Sequence, residues 1–252
     1  MLSVAGSHTR LAVLLLLGAP LLGSSSAPPA ISPVKVSYIM VGFVGGFVRH
    51  TNPHHGPVVV AQRLRQFAPK GSHIDVYENR HRRTAYRNIV RLLDTDGDGV
   101  LDADEKARAH IILFGQSWGA SAAVLLAREL ERDGIPVMLT VQVDSVAKPW
   151  QHDGVIPENV AAAVNFYQPH GLLHGRQVIR AEDENKTQII GNYRFDYKQS
   201  PVKCEGMGWL DRTLTPGHMQ SECDPHLWTQ VENLVRQRLE PEPDKIASLP
   251  NP

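Results

Sequence analysis

The chain has 252 residues, 42% of them hydrophobic, which suits one domain with a single large core. Its 26 Lys and Arg residues balance its 26 Asp and Glu residues, so no net charge attracts nucleic acid or an anionic membrane surface. We therefore expect no nucleic-acid partner.

The N-terminal segment has the layout of a secretory signal peptide. Arg10 precedes an apolar run over residues 11–22, and small or polar residues follow at 23–27. As a helix at ~1.5 Å per residue, this run spans under about 20 Å, less than the ~30 Å hydrocarbon core of a bilayer. Residues 1–27 are therefore predicted to be a signal peptide. The mature protein is predicted to be secreted or periplasmic, with no stable membrane span after cleavage.

The mature chain alternates between strand-like and helical patterns. Short apolar runs rich in β-formers are predicted as strands, and the amphipathic stretches between them as helices. In chain order these are strand 36–41, helix 58–67, strand 74–77, helix 85–93, strand 110–114, helix 120–132 and strand 137–143. The alternation predicts βαβ units, and hence an α/β fold with a mostly parallel sheet and helices on both faces.

The C-terminal third is less regular. Its predicted elements are a segment at 159–168 that fits either a helix or a strand, and short strands at 177–180 and 188–194. Asp224 as N-cap and Pro225 at the first helical position then predict a final helix. The predicted domain spans residues 28–239, and the tail at 240–252 contains four prolines.

A Gly-x-Ser-x-Gly motif lies between the strand at 110–114 and the helix at 120–132. In such a turn Gly115 and Gly119 remove steric bulk, so the hydroxyl of Ser117 projects at the carboxyl edge of the sheet. The turn also points helix N-terminal amides at this edge, where they can stabilise a developing oxyanion. A serine before a helix is also a common N-cap, but the strand before it and the helix after it favour a nucleophile.

A serine nucleophile needs a base, and the base needs an acid that orients it. Asp144 directly follows the predicted strand at 137–143, so we expect it at the same sheet edge as Ser117. An aspartate at this position also commonly caps the following loop. Asp153 and Asp183 are the alternative acids.

The base is sought among 12 histidines. His218 lies in a predicted loop just before the final helix, which is the position expected for the base. The three histidines in "RHTNPHHG" suggest a metal site, but the string contains no carboxylate and no further residue at the spacing of a metal ligand. Six histidines are therefore predicted to be loop or helix-surface residues: His50, His54, His55, His170, His174 and His226.

An oxyanion hole usually pairs the amide after the nucleophile with an amide from the loop after an earlier strand. Trp118 is predicted to supply the first amide. The glycine-rich segment at 41–47 permits a close backbone approach, and Phe43 in it is predicted to supply the second. Glycines are also ordinary in strand-to-helix turns.

Five strings, "VGFVGG", "GQSWGAS", "VQVDS", "VIPENVAAAVNFYQ" and "GHMQSECDP", resemble the α/β-hydrolase superfamily, in particular bacterial exported lipase- and esterase-like members. The resemblance covers roughly residues 36–238 and implies a single-domain α/β-hydrolase fold. It implies Ser117 as nucleophile, His218 as general base and Asp144 as the orienting acid. Many members carry the acid after the next strand instead. Members hydrolyse esters, thioesters or amides, and some have lost catalysis, so the resemblance selects no substrate.

Residues 94–105 match the twelve-residue calcium loop of EF-hands, with Gly99 at the sixth position. The predicted ligands are Asp94, Asp96, Asp98, the carbonyl of Val100, Asp102 and Glu105. A solvated acidic turn is the alternative, but six carboxylates within twelve residues repel one another unless a cation neutralises them. Because one such loop is present, whereas sensor proteins pair two, we predict a structural Ca²⁺ site and no organic cofactor.

Cys204 and Cys223 are the only cysteines of the chain. An exported protein meets oxidising conditions, under which these two residues would form a disulfide. Two buried free thiols are the alternative.

Two functions therefore compete. The leading one is an exported serine hydrolase that cleaves carboxylic esters of small molecules or lipids and carries a structural calcium ion. The other is a noncatalytic, calcium-binding interaction module on a hydrolase-like fold. Labelling of Ser117 by a fluorophosphonate distinguishes them, because it requires an activated serine.

Overall fold

The centre of the structure is a fully parallel six-stranded sheet. The computed structural model describes residues 38–205 and 215–239. The strands are β1 (Ile39–Val44), β2 (His73–Glu78), β3 (Ile111–Gln116), β4 (Val137–Val143), β5 (Val155–Ile156), β6 (Val160–Tyr167), β7 (Arg180–Ala181) and β8 (Gln188–Arg194). The large sheet has the order β2-β1-β3-β4-β6-β8, and the short strands β5 and β7 pair separately. Since all six strands run in one direction, their carboxyl ends meet at one edge.

Helices cover both faces of this sheet. They are α1 (Gly56–Phe67), α2 (Arg82–Leu93), α3 (Ala103–Ala107), α4 (Trp118–Arg132), α5 (Pro216–Cys223) and α6 (Pro225–Leu239). On one face α2 and α4 pack against Ile39 and Val41 of β1, and on the other α1 and α6 pack against Met40 and Val44. Successive residues of β1 thus enter two separate cores, as expected for a strand buried on both sides.

The structure confirms the predicted α/β class, the parallel sheet and the helices on both faces. Two element bounds differ in ways that matter for the site. The strand predicted at 36–41 is Ile39–Val44, because its pairing continues to Val44 opposite Glu78. The loop predicted before the final helix is α5, which has a proline in its first turn, a position where proline favours a helix start.

The segment at 159–168 that fitted either a helix or a strand is strand β6. It lies between β4 and β8, so its small side chains Ala162 and Ala163 are buried against both helical layers. The strand predicted at 177–180 is the two-residue β7, and the strand predicted at 188–194 has the predicted bounds.

The predicted signal peptide at 1–27 and the tail at 240–252 lie outside the described residues. The helices of the described part include none with the length and apolar character to cross a bilayer.

Candidate active site

Ser117 forms a one-residue turn between β3 and α4. Its backbone angles are φ 56° and ψ −126°, in a region that costs a residue other than glycine roughly 1–3 kcal/mol. The neighbouring strand holds the turn, because the Ser117 amide donates to the carbonyl of Val143 at 2.9 Å. The hydroxyl consequently lies at the carboxyl edge of the sheet.

The two glycines of the motif allow this turn to form between closely packed backbones. A Cβ atom at Gly115 would lie 2.5 Å from the backbone of Gly119, and one at Gly119 would lie 2.2 Å from the carbonyl oxygen of Phe43. Both distances are far shorter than a van der Waals contact. Any side chain at either position would push α4 away from the sheet.

The structure brings the three predicted catalytic residues together. His218 Nε2 lies 2.8 Å from Ser117 Oγ, and His218 Nδ1 lies 2.7 Å from Asp144 Oδ2. All three residues are buried, and 74 or more positions separate His218 from the other two. With Nδ1–H donating to the carboxylate, Nε2 carries the lone pair that can accept the serine proton.

The Asp144 carboxylate is fully buried and surrounded by donors. Its Oδ1 accepts from the amides of Gly175 at 2.7 Å and Gln168 at 3.2 Å, and its Oδ2 accepts from the Gln168 side chain at 3.1 Å. A buried carboxylate requires such hydrogen bonds to offset its loss of hydration. These bonds also fix the direction in which Asp144 faces His218.

The two alternative acids lie in other networks. Asp153 accepts hydrogen bonds from the hydroxyl of Ser145 at 2.5 Å and from Arg176 at 2.7 Å. Asp183 accepts from the amide of Asn185 at 2.9 Å in a surface turn. Neither contacts His218, so the geometry favours Asp144.

Of the two predicted oxyanion donors, the structure places only Trp118 at the cleft beside Ser117. Trp118 is the first residue of α4, so its amide has no partner within the helix. Phe43 lies inside β1, opposite Tyr77 and Gly115, with its side chain in the core. The prediction for Phe43 placed the strand end at residue 41, three residues too early.

The second oxyanion amide was predicted to come from the loop after the first strand. That loop follows Val44, the last residue of β1, and it lies beside Ser117. A Cβ atom at Gly45 would lie 2.8 Å from Ser117 Cβ, so the loop backbone directly contacts Ser117. The buried side chain of Asn79 donates to the carbonyl of Gly46 at 2.7 Å and accepts from Lys148 Nζ at 2.7 Å. These bonds hold the loop in place next to Ser117.

A cleft of about 530 Å³ opens at this edge and contains Ser117 and His218. Aromatic side chains form part of its wall, with Phe47 86% exposed and its ring 5.6 Å from that of Trp118 in an edge-on arrangement. Lys148 Nζ lies 4.7 Å from the centroid of the Trp118 ring. The cleft therefore offers apolar surface next to Ser117, and a positive charge lies over the Trp118 ring.

Two further polar groups of the cleft were not found from the sequence. His55, predicted to be a loop histidine, is buried and hydrogen bonded through Nδ1 to Glu222 Oε1. Gln116 Nε2 lies 3.4 Å from His218 Nε2, and its Oε1 is buried with no hydrogen-bond donor among the described residues. The 167 positions between His55 and Glu222 hide their contact from any local pattern.

Glu78, at the end of β2, ties the loop after β1 to the sheet. Its carboxylate contacts His50 Nδ1 at 2.9 Å and His81 Nδ1 at 2.7 Å. Burial opposes its charge, but hydrogen bonds from His50, from its own backbone and from His81 outweigh burial and lower the pKa of Glu78 to about 2. The ionised carboxylate thus stabilises the folded state.

Glu78→Gln is expected to lower the free energy of unfolding by roughly 1–3 kcal/mol near neutral pH. A depressed carboxyl pKa contributes stability above the unfolded value near 4.5, and the contribution disappears as pH falls toward 2. Thermal melts of the variant and the parent from pH 7 to pH 2 should therefore converge at low pH. The exposed Glu184→Gln is the control, and a stability gap that widened on acidification would contradict the expectation.

In the acidic loop, three of the predicted calcium ligands converge. Carboxylate oxygens of Asp94, Asp96 and Asp98 lie within 4.8 Å of one another. Asp102 and Glu105 instead form a capping box at the start of α3, in which the Asp102 side chain accepts from the Glu105 amide and the Glu105 side chain from the Asp102 amide. The backbone hydrogen bond from Thr95 also holds the pKa of Glu105 below its usual value.

Cys204 and Cys223 form a disulfide, with their Cα atoms 5.6 Å apart. Cys223 is the last residue of α5, the helix that carries His218. The bond therefore attaches the helix that carries His218 to the segment that follows β8.

No protein-family model and no curated protein matches this sequence. Among solved structures, the chain is similar to a cutinase-like protein from Cryptococcus sp., at 12% identity over 82% of this chain and 97% of that chain, with a TM-score of 0.43. It is similar to a dienelactone hydrolase from Anabaena variabilis at 13% identity over 81% and 86%, with a TM-score of 0.39. It is also similar to an acetyl xylan esterase at 10% identity over 81% and 99%, with a TM-score of 0.37. The α/β-hydrolase fold follows from the chain's own topology: a parallel sheet covered on both faces, with a serine at the turn from β3 into α4.

Proposed function

We propose that this protein is an exported serine hydrolase that cleaves carboxylic esters with Ser117, His218 and Asp144. The observation that carries the proposal is the continuous pair of hydrogen bonds from Ser117 Oγ to His218 at 2.8 Å and from His218 to Asp144 at 2.7 Å. A buried serine on a strained turn, already bonded to an imidazole that a carboxylate orients, has the geometry of an activated nucleophile.

In the proposed reaction, Ser117 Oγ attacks the ester carbonyl while His218 Nε2 takes its proton. The amide of Trp118 and an amide from the loop Gly45–Phe47 stabilise the oxyanion of the tetrahedral intermediate. His218 then gives the proton to the leaving alcohol oxygen, which produces an acyl-serine. Water, deprotonated by His218, releases the acid and restores Ser117.

A fluorophosphonate probe tests this function directly. The purified protein should be labelled at Ser117, as located by peptide mass spectrometry, and should hydrolyse short p-nitrophenyl esters. Ser121, a buried serine one turn into α4, is the internal control, because no histidine contact activates it. A folded protein that is neither labelled nor hydrolytic would contradict the proposal and favour the noncatalytic module.

We also propose that the acidic loop binds calcium in a structural role. Hard carboxylate oxygens such as those of Asp94, Asp96 and Asp98 suit Ca²⁺, which would neutralise their mutual repulsion. The loop precedes β3, whereas Ser117 follows it, and a strand of six residues at ~3.3 Å each separates them. An ion at that distance cannot polarise a bound carbonyl.

Chelation of calcium is therefore expected to lower the melting temperature without slowing the initial hydrolysis by protein that is still folded. Calcium at a hundredfold excess over its dissociation constant would add about 2.7 kcal/mol to the free energy of unfolding. Asp98→Asn, at an exposed ligand, should imitate chelation. Glu105→Gln should also lower stability, but its buried capping box contributes to that effect.

Calorimetry and ester hydrolysis, each with EDTA and with added calcium, provide the measurement. Loss of activity on chelation, at a temperature where circular dichroism shows an intact fold, would refute the structural role.

A further inference from the structure

The cleft contains a second pair of a histidine and a carboxylate, which the proposed reaction does not use. His55 and Glu222 are 6% and 3% exposed, and both line the cleft with Ser117. Glu222 holds Nδ1 of His55 in the same way that Asp144 holds Nδ1 of His218. The second ring nitrogen, Nε2, is therefore the one that His55 can offer to a ligand.

This pair lies close to His218, the residue that would protonate a leaving alcohol. His218 and Glu222 are four residues apart on α5, so their side chains share one helix face at a separation of about 5–6 Å. In ester cleavage the leaving oxygen must reach His218 Nε2 to receive its proton. Atoms of the alcohol next to that oxygen are therefore within reach of Glu222 and His55, which line the same cleft.

The polar groups of the cleft select a neutral hydrogen-bond donor. Glu222 and the unpartnered Oε1 of Gln116 are acceptors, and the described lining residues include no Lys or Arg. An anionic substrate would be repelled by the Glu222 carboxylate. A cationic group would need the Glu222 carboxylate as its partner, but that carboxylate is 3% exposed and already hydrogen bonded to His55. A hydroxyl group satisfies a buried acceptor without an ionic partner.

We propose that His55, oriented by Glu222, binds a hydroxyl group in the alcohol portion of the substrate. This inference rests on the proposed ester hydrolysis and adds its substrate class, namely esters whose alcohol carries a neutral hydroxyl close to the ester oxygen. His55 is the binding residue, and Glu222 is a positioning residue that acts through it.

The test compares 2-hydroxyethyl butyrate with ethyl butyrate, which share the acyl group. The wild-type protein is expected to prefer the hydroxylated ester about tenfold in kcat/KM, the discrimination that one buried hydrogen bond supplies. The double variant His55→Phe/Glu222→Gln avoids an unpaired buried carboxylate, and its ratio should fall to about one. Glu222→Gln alone should lower the ratio partly, and the exposed neighbour variant His54→Phe should keep the wild-type ratio.

Three results would overturn the subsite. The first is a wild-type kcat/KM ratio of the two esters near one. The second is a double variant that keeps the wild-type ratio while its rates on both esters fall together. The third is a preference for 2-aminoethyl butyrate, which would indicate a cation site.

Failure of the proposed function is distinguishable from failure of the subsite. If the folded protein hydrolyses no ester, the function is wrong, and NMR titration of Ser117→Ala with both hydroxylated and plain esters still tests binding. Tighter binding of the hydroxylated ester by Ser117→Ala would support the subsite if this difference disappears when His55→Phe and Glu222→Gln are introduced into the same protein. Equal affinities would reject it.

Discussion

Replacing Ser117 with alanine is expected to lower kcat for ester hydrolysis by roughly 10⁵–10⁶-fold. The substitution removes the nucleophile while the strained turn, the glycines and the sheet remain, so the fold should persist. His218→Ala should cause a loss of similar size, because the serine loses its base. Initial rates with p-nitrophenyl butyrate, together with circular dichroism of each variant, provide the measurement.

Asp144→Asn is expected to cause a smaller loss of activity than the two alanine substitutions. It keeps the size of the side chain but removes the charge that orients His218, so the rate should fall less than in Ser117→Ala. Asp183→Asn is the control, because Asp183 lies in a surface turn away from His218. Wild-type turnover in Ser117→Ala would exclude the mechanism, and an unaffected rate in Asp144→Asn would exclude that aspartate as the acid.

Reduction of the disulfide between Cys204 and Cys223 is expected to lower the free energy of unfolding by about 3 kcal/mol, because the bond closes a loop of about twenty residues in the unfolded chain. Activity should fall with stability. Cys223 ends α5, and loosening that helix moves His218 relative to Ser117. Thermal melts and initial rates with and without reductant measure both effects.

The double variant Cys204→Ser/Cys223→Ser controls for direct effects of the reductant and should melt at the temperature of the reduced protein. Mass spectrometry that found two free thiols in protein from an oxidising compartment would contradict the expectation, as would reduction that left both stability and activity unchanged.

The fold was readable from the sequence where a local pattern carries the information. Apolar runs with strand propensity and helices between them predicted the order of elements, and the strand at 137–143 has the predicted bounds. The segment at 159–168 was ambiguous because its alanines favour no strand. It forms β6 because it pairs with β4 on one side and β8 on the other. Sheet order depends on pairing across the chain, which no local pattern contains.

The candidate site likewise contains residues that a local pattern predicts and residues that it does not. Ser117 and Asp144 were predictable because each follows a recognisable strand at a shared edge. The misplaced strand end moved the second oxyanion donor to Phe43, although the loop that contacts Ser117 starts at Gly45. His55 was missed because its partner Glu222 lies on α5, far from it in the sequence, and the contact forms only in the folded chain.

The backbone contacts at Gly115 and Gly119 constrain how this protein can diverge. With neighbouring backbone atoms 2.5 and 2.2 Å from any added Cβ, neither position can accept a substitution without displacing α4. Gln116 and Trp118, which lie between the two glycines in the sequence, line the cleft. Their side chains can therefore vary as the substrate changes. Distant descendants should therefore retain both glycines around a serine while positions 116 and 118 vary.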